Sequence, residues 1–333
     1  MKSPFSPTLL EGTAFIKDLI KKVDASTDRI DIVVTTFHDD CEQMHQLIRA
    51  LQRAGDRGVK ISICADAYTY VEPKEFLFRS PKKQPLRFYR AMRTERRLKS
   101  HGIKFHWLGR HSNLGFAGRT HAKWMIVDDY VYSFGGVNLD FASFENTDFL
   151  VRFHSKVIAD TMRHEHNRLT KADKGGHASR SHTVNLTDTD KLLIDGGLVA
   201  DSTIYRHMIR LAREATDITL VSQYCPTGKL SRIIRRKNAK VYYNHWRHAQ
   251  SINKGLIGVG MLMSRGSTAY TRDNYLHAKF ALFTMADGRK VAVTGSHNFM
   301  YSSVLVGTRE IALQTEDSAI INALEAFVKK RIL

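Results

Sequence analysis

One pattern that occurs twice constrains this chain more than any other feature. Residues 121–140 read HAKWMIVDDYVYSFGGVNLD, and residues 277–299 read HAKFALFTMADGRKVAVTGSHNF. Each copy begins with His-Ala-Lys, continues through apolar and β-branched residues, and ends in a turn of small residues followed by asparagine. The two histidines are 277 − 121 = 156 residues apart, nearly half of the 333-residue chain. A repeat of this size predicts two structural units of one kind.

The segments before the two copies also match. Residues 15–37 and 204–224 each predict an amphipathic helix followed by an apolar strand. A second helix and strand follow in both halves, at 44–66 and at 230–243. Alternating helices and strands predict an α/β fold with a parallel or mixed sheet in each half.

The boundary between the halves is predicted from composition. Residues 171–190 are polar and contain few apolar side chains, which is typical of a linker. The expected organisation is therefore an N-terminal domain at 1–170, a linker at 171–190 and a C-terminal domain at 191–333.

Each copy places a histidine and a lysine on one face of a predicted strand. Side chains at positions i and i+2 of a strand point to the same side, so His121 projects with Lys123, and His277 projects with Lys279. Histidine can act as a nucleophile or as a proton donor, because its ordinary pKa lies near neutrality. The neighbouring lysine supplies a positive charge for a phosphate oxygen. One copy is therefore half of a site for phosphodiester chemistry, and two copies complete it.

The turn that closes each copy can approach a phosphate closely. Small residues leave room for the backbone to do so, and Asn138 and Asn298 add amide donors beside it. The small residues of the two turns are Gly135, Gly136, Gly295 and Ser296. Downstream of the turns, Asp148 and Glu310 are candidates to orient the imidazoles by accepting a hydrogen bond from the second ring nitrogen.

The repeated pattern H-x-K-x4-D followed by G-G-x-N resembles the signature of the phospholipase D superfamily. The first copy carries it in full, with His121, Lys123 and Asp128. In the second copy Thr284 stands where the aspartate is expected, and the nearest acid, Asp287, lies in a predicted hairpin turn. The resemblance covers the chain from about residue 10 to the end, and it implies that this aspartate is mainly structural.

The resemblance also implies an architecture and a mechanism. It implies two similar α/β/α sandwich domains, each with a mixed sheet flanked by helices, packed as an internal pseudo-dimer so that both motifs meet in one cleft. It implies a covalent phosphohistidine intermediate, with His121 as the nucleophile and His277 as the general acid. No metal or other cofactor is expected, because the lysines and histidines supply the charge that the reaction needs.

Within the superfamily, the stretch GGVNLDF resembles the first motif of cardiolipin synthases. The implied activity is a phosphatidyltransferase or phospholipase D acting on an anionic phospholipid, with phosphatidylglycerol as the expected substrate. Two alternatives stay open at this point. One is a phosphodiesterase of the same superfamily that acts on nucleic acid, and the other is a basic binding module without catalytic activity. Neither the acceptor alcohol nor the oligomeric state follows from the sequence.

Charge and composition indicate where the protein works. A net charge of +18 attracts polyanions, either anionic lipid or nucleic acid. A basic insertion at 71–105, with interleaved aromatic residues, suits docking on an anionic bilayer and equally suits a nucleic-acid groove; the alternative is a solvated helical hairpin. The glycine-containing apolar stretch at 252–264 is interpreted as a loop or short helix at the mouth of the cleft, or as a buried core segment.

Targeting features are few. No signal peptide and no membrane-spanning segment is expected from the apolar runs. The three cysteines, Cys41, Cys64 and Cys225, are odd in number and far apart, which favours a reducing compartment over a disulfide framework. The sequence therefore predicts a cytoplasmic protein that is peripheral on the membrane.

Overall fold

The fold contains two sheets, one built from each half of the sequence. The computed structural model describes residues 6–67, 86–109, 119–249, 251–264 and 267–333. The strands of the first sheet are β1 (Thr8–Glu11), β2 (Arg29–Val34), β3 (Lys60–Asp66), β4 (Lys104–Leu108), β5 (Trp124–Val127), β6 (Tyr130–Ser133) and β7 (Phe149–His154). Their order across the sheet is β1-β7-β6-β5-β2-β3-β4.

The second sheet comes from the C-terminal half. Its strands are β8 (His182–Asn185), β9 (Lys191–Gly196), β10 (Asp217–Val221), β11 (Lys240–Tyr242), β12 (Phe280–Thr284), β13 (Lys290–Gly295) and β14 (Arg309–Thr315). Their order across the sheet is β11-β10-β12-β13-β14-β9-β8.

The two sheets share six strands in the same spatial order. In the first, β2 and β3 are parallel, and β2, β5, β6, β7 and β1 follow as antiparallel neighbours. In the second, β10 and β11 are parallel, and β10, β12, β13, β14 and β9 repeat the antiparallel series. The first sheet then adds β4 beside β3, whereas the second adds β8 beside β9. The prediction of two similar α/β units with mixed sheets is confirmed.

Helices cover the sheets because their apolar residues repeat at helical spacing. The second helix, for example, buries Met44, Leu47, Ile48 and Leu51, which lie on one stripe of its surface. In the described part of the chain the α-helices are α1 (Gly12–Ala25), α2 (Glu42–Asp56), α3 (Leu86–Lys99), α4 (Phe141–Glu145), α5 (Lys156–Lys174), α6 (Thr203–Glu214), α7 (Gly228–Arg236), α8 (Ser251–Ser264), α9 (Tyr301–Val306) and α10 (Ser318–Phe327).

One apolar core contains residues of both halves. It combines side chains from the inner faces of the two sheets with residues of α5 and α10. The ring of Phe149 in β7 lies 5.8 Å from that of Phe280 in β12 and 5.0 Å from that of Phe327 in α10, measured between centroids. Because these aromatic rings are almost fully buried, the halves are held together by an apolar interior rather than by a polar surface contact.

Three segments singled out in the sequence have more structure than expected or lie partly outside the described residues. The stretch 171–190, predicted as a linker, includes the end of α5 and all of β8. Of the basic insertion, residues 71–85 lie outside the described residues, and the rest includes α3 and the start of β4. Residues 252–264 lie within α8, whose buried Ile257 offsets the helix-weakening glycines.

None of the helices in the described part of the chain is long and apolar enough to cross a bilayer.

Candidate active site

The two repeated motifs meet between the sheets, and the backbone of each is held by the opposite half. The amides of His121 and Ala122 both donate to the carbonyl of Arg309, at 2.9 Å. The amides of His277 and Ala278 both donate to the carbonyl of Thr147, at 3.0 Å. Isolated parallel bridges at these two places set each motif beside the residue that directly precedes the other half's acid. The local chain path therefore brings both histidines to one place.

The two imidazoles pair with carboxylates across the halves. The Nδ1 atom of His277 lies 2.6 Å from Oδ2 of Asp148, although Asp148 follows the first motif. The Nδ1 atom of His121 lies 3.1 Å from Oε2 of Glu310, which follows the second, and 3.0 Å from the carbonyl oxygen of Ser296. Because these partners are acceptors, each ring carries its proton on Nδ1 and leaves Nε2 for a substrate.

Each carboxylate is itself positioned by the turn of its own half. Asp148 accepts from the amides of Gly136 and Phe149, at 3.1 and 2.8 Å. A Cβ atom at Gly136 would lie 2.4 Å from the Asp148 carboxylate and 2.8 Å from Nδ1 of His277, so only glycine fits there. In the other half the corresponding residue is Ser296, whose hydroxyl donates to Oε2 of Glu310.

The other turn glycines allow close packing of strands. A Cβ atom at Gly135 would lie 1.8 Å from the carbonyl oxygen of Phe149, and one at Gly295 would lie 2.2 Å from that of Ile311. Gly135 and Gly295 therefore allow the backbone of a neighbouring strand to approach, and the structure gives them this packing role rather than the approach to a phosphate expected from the sequence.

Two buried lysines supply the positive charge of the site. Lys123 and Lys279 are fully buried. Lys123 donates to the carbonyl of His121 at 2.7 Å and to the hydroxyl of Thr35 at 3.0 Å, and Lys279 donates to the carbonyl of His277 at 2.5 Å. Burial lowers the pKa of Lys123 to about 7, with repulsion from Lys279 as the next cause, and burial lowers the pKa of Lys279 to about 8.

Both histidines are neutral at neutral pH. Burial and the adjacent lysines lower the pKa of His121 and of His277 to about 4, against the opposing effect of their carboxylates. Burial by itself would raise the pKa of Glu310, but the interaction with His121 outweighs it and holds that pKa at about 2, through the Nδ1 hydrogen bond and through attraction whenever the ring is protonated. An ionised carboxylate thus faces a neutral imidazole that is ready to accept a proton or to attack.

The two asparagines lie beside this group and are buried. Oδ1 of Asn138 accepts from the amide of Thr36 at 3.3 Å, which leaves its NH₂ group for an oxygen acceptor. Oδ1 of Asn298 is buried and has no hydrogen-bond partner within the part of the chain that the structure describes. A buried amide oxygen left in this way is one that a hydrogen-bond donor, such as the hydroxyl of an acceptor alcohol, would satisfy.

Asp128, the acid of the complete motif, lies away from the histidines, at the far end of β5. Its carboxylate accepts from the amides of Thr27, Asp28 and Arg29, at 3.0 to 3.1 Å. It therefore closes the turn between α1 and β2, as a mainly structural residue would. In the second half the carbonyl of Thr284 takes this place by accepting from the amide and the hydroxyl of Thr216, at 2.8 and 3.0 Å.

Asp287 does not replace the missing aspartate. Its carboxylate contacts the backbone and side chain of Arg289 within an exposed hairpin turn.

Sequence reasoning missed a buried ion pair between Arg309, whose carbonyl accepts from the His121 amide, and Asp173. Arg309, whose carbonyl holds the His121 backbone, is buried, and its guanidinium lies 2.6 Å from Asp173. The other Asp173 oxygen lies 2.9 Å from Nε2 of His106 in β4. Arg309 could have been suspected from its place beside Glu310. Nothing in the sequence marks Asp173, which lies in the stretch predicted as a linker.

No group of three histidine, cysteine or carboxylate side chains suited to a metal ion occurs within the described ranges.

Comparisons with known proteins agree with this description. The family model described as cardiolipin synthase, PLD-like domain matches residues 19–170. The crystal structure of phosphatidylserine synthase from Haemophilus influenzae Rd KW20 superposes with a TM-score of 0.70 at 13% identity, covering 97% of this chain and 86% of that one. Polyphosphate kinase from Porphyromonas gingivalis gives a TM-score of 0.61 at 11% identity, covering 97% of this chain and 50% of that one.

No curated protein matches the sequence significantly. At these identities the solved structures establish the shared fold, and the family model establishes the relationship of the motif-bearing N-terminal half. Two sheets of one topology, with a His-x-Lys motif from each meeting in one cleft, complete the correspondence. Residues 19–170, which carry the first motif, therefore match a phospholipase D-like domain of the cardiolipin synthase type, and the whole chain shares the fold of a phosphatidylserine synthase.

Proposed function

We propose that the chain is a phosphatidyltransferase that works through a phosphohistidine on His121. One observation carries the proposal: two imidazoles, each held at Nδ1 by a carboxylate from the opposite half, lie with two buried lysines in a single cleft. Such a site offers a nucleophile, a proton donor and fixed positive charge to the same phosphorus atom.

The first step forms a bond between nitrogen and phosphorus. Nε2 of His121 attacks the phosphorus of the donor lipid while Lys123 and Lys279 hold the non-bridging oxygens. The bond between phosphorus and the headgroup oxygen breaks, and Nε2 of protonated His277 gives its proton to the departing alkoxide. The products are a phosphatidyl group on His121, a neutral His277 and a free alcohol.

The second step reverses the proton movement. Neutral His277 takes the proton of an incoming alcohol, whose oxygen attacks the phosphorus. The bond between phosphorus and His121 then breaks, and the enzyme returns to its starting state with a new phosphodiester. Water in place of the alcohol would produce phosphatidic acid, so the choice between transfer and hydrolysis depends on which acceptor enters.

The hydrogen bonds support the assignment of the two histidines. His277 needs a strong partner for its protonated form, and its 2.6 Å contact with Asp148 is shorter than the 3.1 Å contact between His121 and Glu310. A bound phosphodiester, which is anionic, also offsets the repulsion of the two lysines that lowers the pKa of His277 in the free protein.

Three features favour an anionic phospholipid as the substrate. The matching family model is described as cardiolipin synthase-like, a similar fold occurs in a phosphatidylserine synthase, and the chain carries a net charge of +18. We infer a phosphatidylglycerol-type donor and an alcohol acceptor, which includes a second phosphatidylglycerol. The protein would work as two catalytic halves, 1–170 and 191–333, while peripheral on a membrane in the cytoplasm.

The test is lipid mass spectrometry after the purified protein is incubated with liposomes of phosphatidylglycerol and phosphatidylethanolamine in EDTA. Cardiolipin or another exchanged lipid supports the proposal, and phosphatidic acid alone would make the protein a hydrolase. His121→Ala is the control for a contaminating activity. An unchanged lipid pool together with salt-sensitive cleavage of DNA would overturn the proposal in favour of the nuclease alternative.

A further inference from the structure

The C-terminal half contains a long segment without acidic residues. Residues 218–272 are 55 in number and include ten lysines and arginines but no aspartate or glutamate. The rest of the chain mixes both signs of charge, with 33 acidic residues in all. A surface built from this segment therefore has a uniformly positive character, which suits an anionic partner.

Helix α8 lies in this segment and turns apolar side chains outward. Leu256, Val259 and Leu262 are 43%, 56% and 81% exposed, and they recur at every third position, which places them on one side of the helix. The opposite side is held by the fully buried Ile257 and by Gly260, which packs near Cys225. Exposed large apolar residues aligned in this way mark a contact surface rather than a solvated one.

An aromatic residue and two cations lie beside this helix. Trp246, in the short 3₁₀-helix that precedes α8, is 36% exposed. The guanidinium of Arg247 and the ammonium of Lys254 lie 5.5 and 5.4 Å from the centre of its ring. Tryptophan with lysine and arginine next to exposed leucine is the combination found at the level of lipid headgroups.

Hydrogen bonds connect α8 to the catalytic cleft. Asn253 of α8 accepts from the hydroxyl of Tyr224 at 2.7 Å. The side-chain amide of Gln223 donates to the hydroxyls of Tyr224 and Tyr275, at 3.2 and 3.1 Å. Tyr275 stands two residues before His277 in the chain, so the outward helix is part of the wall that leads to the site.

The exposed apolar surface continues past the second motif. Helix α9 begins three residues after Asn298 and exposes Tyr301 and Leu305, 42% and 49%. The amide of Tyr301 donates to the hydroxyl of Thr227 at 2.8 Å, and the methyl group of Thr227 would lie 3.7 Å from a Cβ atom at Gly260 of α8. The apolar residues therefore border the mouth of the cleft on the side of the second half.

We propose that the α8 surface, defined as Trp246, Arg247, Lys254, Leu256, Val259 and Leu262, docks the protein on an anionic bilayer and turns the cleft toward the lipid. The inference rests on the proposed function, since it gives that site its access to a membrane substrate. A bilayer fits better than a nucleic acid, because leucine and valine offer no hydrogen bond to phosphates or to base edges. It fits better than a second copy, because Arg247 and Lys254 would face the same positive charges across a symmetric contact, with no acidic residue of the segment to offset them.

The binding test compares one double variant with one matched control. Val259→Glu with Leu262→Glu places two acids on the outward side of α8, whereas Val157→Glu makes the same change at a 61% exposed valine of α5. On vesicles of phosphatidylcholine and phosphatidylglycerol, we expect the double variant to lose at least about 100-fold in partition coefficient and the control to bind normally. Equal binding of the double variant and the wild type would overturn the proposal.

Tryptophan fluorescence gives an independent signal. The chain has three tryptophans, and Trp107 and Trp124 are buried, 4% and 3% exposed. A blue shift on addition of the anionic vesicles would therefore come from Trp246, and Trp246→Phe would remove it. Absence of a shift in the wild type while the protein is bound would show that another surface docks, and would contradict the proposal.

A soluble substrate separates failure of this surface from failure of the proposed chemistry. On bis(p-nitrophenyl) phosphate in solution, the double variant is expected to match the wild type, while on vesicle lipids it loses activity in proportion to binding. If the wild type binds vesicles but turns over no lipid, the proposed function is wrong, whereas the proposed docking surface is still supported. A double variant that only converts a dimer to a monomer would make α8 a self-association face and would overturn the inference.

Discussion

The two halves of the site contain the same reactive groups on different supports. In the described part of the chain, Nδ1 of His277 has a single acceptor, Oδ2 of Asp148 at 2.6 Å. His121 has two acceptors for the same nitrogen, Glu310 at 3.1 Å and the carbonyl of Ser296 at 3.0 Å. A single short bond to a carboxylate favours a ring that must carry a positive charge, whereas two longer bonds are enough to orient a ring that attacks while neutral.

The difference extends to the residues behind the histidines. The carbonyl that accepts from the backbone amides of His121 and Ala122 belongs to Arg309, which a buried ion pair with Asp173 holds in place. The carbonyl that accepts from the backbone amides of His277 and Ala278 belongs to Thr147, an uncharged residue. The repeat therefore specifies where the reactive groups lie, while the changes between the copies distinguish their tasks.

The largest expected losses of activity come from replacing either histidine, and a second substrate should distinguish their roles. We expect His121→Ala and His277→Ala each to lose at least about 10⁴-fold in kcat/KM on a lipid substrate, because each removes a group that acts on the reacting bond. A p-nitrophenyl ester should distinguish them, since its leaving group departs without a proton. On that ester His277→Ala is expected to accumulate a phosphoenzyme on His121, and His121→Ala is expected to stay inactive.

The check is intact-protein mass spectrometry of the acid-labile adduct during the reaction. An adduct in His121→Ala, with none in His277→Ala, would reverse the assignment of nucleophile and acid. Melting curves of both variants control for loss of fold.

A smaller effect is expected from the two carboxylates, and it should be unequal. Asp148→Asn removes the carboxylate that contacts His277 and stabilises its protonated form, so we expect a loss of about 10³-fold. Glu310→Gln leaves the Ser296 carbonyl to hold the His121 ring, and the expected loss is about 10- to 100-fold. The measurement is the single-turnover rate of phosphoenzyme formation on lipid and on the p-nitrophenyl ester, because the second step still needs His277 as a base. Only Asp148→Asn should recover on the ester, and equal losses on both substrates would contradict the asymmetry.

Much of this arrangement followed from the sequence, because the pattern is carried by short-range spacing. The i, i+2 spacing of His121 and Lys123 fixes a shared strand face, and the glycine turn fixes the approach of the backbone. The crossed pairing of His121 with Glu310 could not be predicted in this way. It depends on how two sheets pack, and the sequence distance from His121 to Asp148 is nearly the same as from His277 to Glu310. Asp173 was missed for the same reason, since its partner Arg309 is adjacent only after the halves have met.

A further prediction concerns the positive charge of the cleft, to which each half contributes one buried lysine. The pKa of Lys123 is about 7 and that of Lys279 about 8, below the ordinary 10.5, so both lose their protons between pH 6.5 and 9. Sulfate is a suitable probe, because its own charge does not change in this range. We expect its affinity to fall at least about tenfold from pH 6.5 to 9, as positive charge leaves the cleft.

The affinity can be measured from the sulfate-dependent shift in melting temperature. Lys156→Gln, at a lysine that is 73% exposed, should leave the pH dependence unchanged. Lys279→Gln should weaken sulfate binding at pH 6.5 and flatten its pH dependence. An affinity that stays constant to pH 9 in the wild type would show that the lysines keep their protons.

The smallest effect concerns stability and compares Asp128 with Thr284. Asp128→Ala removes a carboxylate that accepts from three amides and puts alanine at φ +47°, so we expect a loss of about 2–3 kcal/mol in the free energy of unfolding. Thr284→Ala should cost less than about 1 kcal/mol, because the contact in that half uses the Thr284 backbone carbonyl, which alanine keeps. Urea unfolding measures both. The folded Asp128→Ala protein should retain its kcat, because Asp128 lies at the other end of β5 from His121; a large loss of kcat without loss of stability would give this aspartate a part in the reaction that its contacts do not show.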